Sequence, residues 1–317
     1  MFKLENIMVT TDLSENSRAA LPFAVALAKQ NKAQLHLAYV EEPPSIYPTD
    51  DSMTLTQLDW PVVARKEREQ GVRKQAEELA ERESLSVVAH LKEGAAADKI
   101  IETAREVHAD CIVMSTHGLG GIARLVFGSV TERVLRESPC PVLCVKPRET
   151  PFASGPMLLT TDLSEESLNA VPYATAFAKQ QDCELHIVFV LEDQLYVPPD
   201  GVLPPNAVDW MIKEHQSMEK QLQQLAADLR VQHGVKVVPH VRHGKAAAEI
   251  RLLASEIKAG CLILATHGRS GLSRLMLGSV AEDVIRSSIC PVLAVRNRVV
   301  QGADVPIHSN VDPVAEK

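Results

Sequence analysis

Short apolar runs alternate with longer stretches of mixed polarity along this chain. Cys111-Ile112-Val113-Met114 and Cys261-Leu262-Ile263-Leu264 are bounded runs too short for helices, and they read as buried strands. Over the first 150 residues the pattern predicts strands at 6–11, 34–40, 86–91, 109–114 and 142–146. It predicts helices at 17–31, 59–83, 96–108 and 129–137. Ser14 is placed to cap the first helix. Ser129 with Glu132 forms a capping box for the last, and Ser279 with Glu282 repeats it. The stretch 41–52, rich in proline and acids, reads as a loop, as does 193–206. Strands that alternate with helices imply a parallel sheet with helices on both faces.

The pattern occurs twice at a constant offset of 150 residues. Thr10-Thr11-Asp12-Leu13-Ser14-Glu15 returns as Thr160-Thr161-Asp162-Leu163-Ser164-Glu165, and Cys140-Pro141-Val142-Leu143 as Cys290-Pro291-Val292-Leu293. Gly94 matches Gly244, and Asp59-Trp60 matches Asp209-Trp210. Each repeat is long enough to be a domain. The division expected is 1–148 and 156–298, with a linker marked by Pro147, Pro151 and Gly155 and a mobile tail over 299–317.

Composition narrows the function. A net charge of −8 argues against a general nucleic-acid or anionic-membrane binder. No apolar run reaches the length of a membrane span. The opening Met1-Phe2-Lys3-Leu4-Glu5-Asn6 carries an acid and an amide where a signal peptide needs an apolar core, so the expected location is the cytoplasm. None of the six cysteines forms Cys-x-x-Cys, and several lie inside strand patterns as small hydrophobes. His36, His90, His186 and His240 also fall in strands and read as structural.

The candidate chemistry lies between the fourth strand and the last helix of each repeat. Ser115-Thr116-His117-Gly118, nine residues, then Gly128-Ser129-Val130 recurs as Ala265-Thr266-His267-Gly268, nine residues, then Gly278-Ser279-Val280. A glycine loop running into a helix start binds phosphate through backbone N–H groups and the positive end of the helix dipole. An ordinary strand-to-helix turn is the alternative reading. Asp12, Val40 and Gly94 also follow strand ends, so a parallel sheet gathers them at the same edge.

Together these residues resemble the universal stress protein family, in its ATP-binding branch. Its motif of Gly, two residues, Gly, nine residues and Gly-Ser or Gly-Thr is matched at Gly118, Gly128 and Ser129, and at Gly268, Gly278 and Ser279. Its first glycine is replaced by Ser115 and Ala265. The resemblance implies two tandem Rossmann-like domains of the adenine nucleotide alpha hydrolase-like type, each a five-stranded parallel sheet. It implies ATP, or another adenine nucleotide, as the ligand. Asp12 and Asp162 would lie against the nucleoside, Val40 and Val190 at the adenine edge, and Gly94 and Gly244 beside the ribose. Gly118, Gly128 and Ser129, with Gly268, Gly278 and Ser279, would hold phosphates; Ser115 and Val130, with Ala265 and Val280, complete the candidate sites, while His117 and His267 beside the loop glycines also read as packed at the turn. Arg269 and Lys245, with no basic counterpart at Leu119 and Ala95, would make the second site more positive, as would His243 opposite Glu93.

The resemblance implies a stress-response or signalling protein without rapid turnover, with a protein partner the sequence does not name. A slow ATPase or related enzyme, and an interaction module with degenerate sites, are the other readings. The fifth strands would otherwise be apolar edges, so they are expected to pair antiparallel as an internal pseudo-dimer.

Overall fold

The computed structural model describes residues 3–42, 59–116, 128–147, 155–192, 207–266 and 277–296. The first half runs β1 (Asn6–Thr11), α1 (Glu15–Arg18), α2 (Leu21–Asn31), β2 (Gln34–Glu41), α3 (Asp59–Glu83), β3 (Val87–Glu93), α4 (Ala96–Glu106), β4 (Cys111–Ser115), α5 (Ser129–Glu137) and β5 (Val142–Val145). The second half repeats it: β6 (Met157–Thr160), α6 (Glu165–Leu168), α7 (Val171–Gln180), β7 (Leu185–Leu191), α8 (Ala207–His233), β8 (Val237–His243), α9 (Ala246–Glu256), β9 (Cys261–Ala265), α10 (Ser279–Ser287) and β10 (Val292–Val295).

The apolar runs become the centre of one ten-stranded sheet in the order β3-β2-β1-β4-β5-β10-β9-β6-β7-β8. Strands are parallel within each half, and Ile7, Met8 and Val9 are fully buried because both faces are covered. The two halves meet where β5 and β10 pair antiparallel, with Leu143 opposite Leu293. The expected internal pseudo-dimer is therefore present. One face carries α2, α3, α7 and α8 over a core that includes Phe23, Phe177, Leu143 and Leu293. The other carries α4, α5, α9 and α10 over Ile100, Ile112, Val134 and their counterparts. On the first face α2 and α7 also touch: Gln30 Nε2 donates to the Gln180 carbonyl at 3.0 Å, and Gln180 Nε2 to Asn31 Oδ1 at 2.6 Å.

Two local expectations need correction. The helix predicted at 17–31 is two helices, α1 and α2, separated at Ala19-Ala20. Pro22 sits in the first turn of α2, where its missing N–H costs nothing and its ring suits a new start. Ser14 does cap α1, accepting from the Ser17 N–H at 3.1 Å. The capping boxes at Ser129 and Ser279 do not form. Those serines are the first helical residues, and Gly128 and Gly278 are the caps, with extended backbone and no side-chain bond. Among the described residues no helix is long and apolar enough to cross a membrane. Most of both loops (43–58 and 193–206), most of the linker and the tail lie outside the described residues, as do the side chains of Trp60 and Trp210.

Candidate functional site

In each half the strand order reverses between the first and fourth strands, β1 and β4 or β6 and β9. The helices leaving these strands go to opposite faces, which opens a crevice at the carboxyl ends. Asp12 ends β1 and shapes the first wall. Its Oδ1 accepts from the Ser14 N–H at 2.9 Å, while Leu13 takes a left-handed φ of 65°. Asp162 does the same for Ser164 at 3.0 Å, with Leu163 at 62°. Each aspartate thus builds the turn before the helix, and the following serine is the cap. Thr11 and Thr161 brace these turns from below, their hydroxyls accepting from the Leu13 and Leu163 N–H groups.

The third strands end at the same carboxyl edge, although neither Gly244 nor any residue of β8 is among the described residues lining the crevice of the second half. Gly94 and Gly244 have φ of 136° and 129°, a conformation that side-chain-bearing residues rarely adopt. Their N–H groups donate to the carbonyls of Glu41 and Leu191, closing the ladder before the chain turns into α4 or α9. The N-termini of those helices are already occupied. Glu42 Oε1 accepts from the Ala96 N–H and Glu192 Oε1 from the Ala246 N–H, both at 2.9 Å. Neither glutamate was foreseen, although both recur at the repeat offset.

The N-terminus of α10 differs. Gly278 has an ordinary φ of −61°, so what a side chain there would meet is the Thr266 carbonyl, 3.2 Å from a Cβ. Its N–H is committed to that same carbonyl at 2.9 Å. Gly278 therefore contributes closeness of approach and no donor. The first-turn N–H groups after it have no intrahelical partners, and they carry the positive end of the helix dipole.

A cavity of about 220 Å³ lies between these elements in the second half. Of the residues singled out from the sequence, Asp162, Val190, Ala265, Gly278, Ser279 and Val280 line it. Thr160, Thr161 and Thr266 line it too and were missed, although the repeated Thr-Thr-Asp was visible. Its inner part is apolar, with Val188, Ile250 and Leu264, and its outer part ends on α10. Asp162 is the one charged residue among the described residues lining it. In the first half Asp12, Val40, Ser115, Gly128, Ser129 and Val130 hold the equivalent positions, with Ser115 buried and Ser129 exposed.

Some expectations fall elsewhere. Lys245 is an exposed cap residue of α9 and does not line the cavity. The His243 ring stands against His215 of α8, so the charge argument for this site loses two of its three groups. His117, Gly118, His267, Gly268 and Arg269 lie outside the described residues. The four strand histidines form two pairs. His36 Nδ1 is 2.9 Å from His90 Nε2, and His186 Nδ1 is 2.8 Å from His240 Nε2. The register sets Ala38 opposite His90, so the rings meet on a diagonal that periodicity alone does not reveal. Burial lowers the pKa of all four, His36 to about 4 with His90 adding to the effect.

Comparison with known proteins decides the lineage. A model of the universal stress protein family matches residues 3–146 and again 154–296. The chain belongs to the universal stress protein family. It is 27% identical over 295 residues to a universal stress protein of Mycolicibacterium smegmatis, covering 92% of this chain and 97% of that one. One half is 34% identical over 143 residues to a universal stress protein of Methanocaldococcus jannaschii, covering 44% of this chain and 81% of that protein. The crystal structure of a universal stress protein from Archaeoglobus fulgidus superposes with a TM-score of 0.67 at 23% identity, over 93% of this chain and 99% of that one, which shows a shared fold.

Proposed function

We propose that this universal stress protein binds an adenine nucleotide, ATP in the first instance, in the second-half cavity and at the equivalent crevice of the first half. The observation that carries the reading is the pairing of an apolar inner wall with a helix start that no side chain caps. Apolar walls suit a base, and the hydroxyls of Thr160, Thr161 and Ser279 suit a ribose or phosphate. Of the three helix starts at the cavity, α6 is capped by Ser164 and α9 already holds the Glu192 carboxylate, which leaves α10 for an anion. The reading is binding without rapid turnover. Asp162, the one charged residue among the described residues lining the cavity, holds the turn before α6 through its Oδ1, a structural task and not that of a general base. Gly118 and Gly268 belong to the same reading through the family resemblance, and Arg269 through the charge it adds opposite Leu119 of the first repeat. Location in the cytoplasm and an unnamed protein partner are further parts of it.

The test is Ser279→Pro. Proline suits a first helical position, and the extended backbone of Gly278, with ψ 139°, tolerates a following proline. The change removes one N–H and one hydroxyl at the proposed phosphate end while keeping the helix. Calorimetric titration of the full chain with ATP should show the second-half affinity falling at least about tenfold, or about 1.4 kcal/mol. Unchanged binding by Ser279→Pro, or no ATP binding by the native chain, would overturn the proposal. Gly278→Val should act in the same direction, with circular dichroism as the check on folding.

A further inference from the structure

The duplicated scaffold shows what was exchanged at its rim. In the first half Arg65 of α3 and Glu93 at the end of β3 form an exposed ion pair. The same two places in the second half hold His215 of α8 and His243 at the end of β8. The two Nε2 atoms are 3.1 Å apart, the ring centres 4.4 Å apart and the planes 82° to each other. The interior pairs are different. They have shorter nitrogen separations, 2.9 and 2.8 Å, yet more distant ring centres, 5.1 and 5.0 Å. Those rings meet more nearly end to end, as hydrogen-bonded imidazoles do. At the rim a longer nitrogen separation with closer centres means that the rings fold toward each other, so the two Nε2 edges converge.

We propose that His215 and His243 form a surface site for a borderline divalent transition metal, Cu(II), Ni(II) or Zn(II), with Glu219 as a third ligand. Two nitrogens 3.1 Å apart, each about 2.0–2.1 Å from a metal, subtend about 100° there, close to the cis angle of a tetragonal centre. His243 is exposed and His215 half-buried, and the pair lies at the protein surface, so a metal and its waters have access. Glu219 lies one turn along α8 from His215, on the same face. Its counterpart, Glu69, accepts from Arg65 Nε at 3.0 Å, so a glutamate at this place reaches the group four residues earlier. Glu219 now accepts from Gln223 at 3.4 Å, and among the described residues no three ligand groups are already gathered around one point. Rotation of the Glu219 side chain completes the set without moving the backbone. The site lies on the α8 side of β8, separate from the cavity beneath α9 and α10, and does not depend on nucleotide binding.

The experiment is calorimetric titration of metal-free full-length protein with CuCl₂, NiCl₂ and ZnCl₂ in turn. The native chain should take one equivalent through this site. The double variant H215R/H243E grafts in the ion pair that the same scaffold already accommodates in the first half, and it should lose that equivalent or bind at least about tenfold more weakly. His243→Gln alone should do the same, and it serves if the graft loosens α8. Glu219→Gln should weaken binding while leaving the stoichiometry at one. The reverse graft, R65H/E93H, keeps Glu69 in place and should raise the stoichiometry to two. No binding by the native chain, or native binding by H215R/H243E and His243→Gln, would overturn the proposal. A reverse graft that stays at one equivalent would overturn the claim that these three groups suffice.

Discussion

The two halves carry the same backbone bonds at the amino ends of their inner strands and different side chains around them. Near the start of the first half, Asp110 accepts from the N–H groups of Glu5 and Asn6 at 2.6 and 2.9 Å. The aligned positions in the second half are Gly260 and Gly155, and there the chains close up directly. The backbone bond between them persists, Asp110 N–H to the Asn6 carbonyl at 2.8 Å and Gly260 N–H to the Pro156 carbonyl at 2.9 Å. The ion pair of Arg65 and Glu93 against the imidazoles of His215 and His243 repeats the lesson. The sheet's hydrogen bonds and buried core define the fold, and solvent-facing partners can be exchanged in pairs without disturbing it.

The largest test of that equivalence is the seam. Leu143 and Leu293 face each other at its centre, 0% and 1% exposed. Leu143→Ala and Leu293→Ala should each cost about 2–5 kcal/mol, by similar amounts, in denaturant unfolding. Because the two side chains are neighbours, the double variant should depart from the sum by at least about 0.5 kcal/mol. Markedly unequal single effects would mean that the two halves do not share the seam evenly.

Acid should separate the halves. His36 titrates at about 4 in the folded chain against 6.5 for the free group. The unfolded chain takes up the proton first, so this contribution is complete above about pH 6.5 and is lost as the pH falls toward 4, by up to about 3 kcal/mol. His186 is lowered by burial as well, but the Glu184 carboxylate 3.3 Å away opposes the shift. In the first half the corresponding contact of His36 is the neutral amide of Asn6. Hydrogen exchange between pH 7 and 4.5 should therefore show β2 losing protection before β7. Glu184→Gln should narrow the gap. If β7 opens first in the native chain, the electrostatic account fails.

The glycine pair offers a smaller contrast. A Cβ on Gly155 would lie 2.1 Å from the Lys258 carbonyl oxygen and 2.9 Å from the Gly260 nitrogen. Gly155→Ala should cost about 1–3 kcal/mol, as overpacking against backbone does. Glu5→Ala, at the aligned position, leaves the Asp110 bonds to backbone intact and should change the melting temperature little.

What could be read from the sequence follows from what each feature depends on. Buried strands such as Cys111–Ser115 announce themselves because burial on both faces demands an unbroken apolar run. The repeat then located the seam, since two apolar fifth strands in one chain have an obvious mate in each other. Helix starts were less legible. Ser129 and Ser279 have the right side chain for a cap, but the helix begins one residue early because the preceding glycine takes the cap conformation. The structural reading of the strand histidines agrees with their part-buried pairs, but which rings pair, and where His243 and Lys245 stand, was not legible. Which way such side chains point depends on strand register and on the helix above them, and neither is written in spacing along one segment.

Joining β5 to β10 within one polypeptide removes a constraint that binds symmetric assemblies. In a dimer of identical chains any substitution appears at both copies of a site, so a change that damages one damages both. Here the partner is tethered, its local concentration is set by the linker, and dilution does not dissolve the pairing. Each copy of the motif is encoded separately. One crevice, or the rim of one half, can therefore change while its counterpart stays as it is.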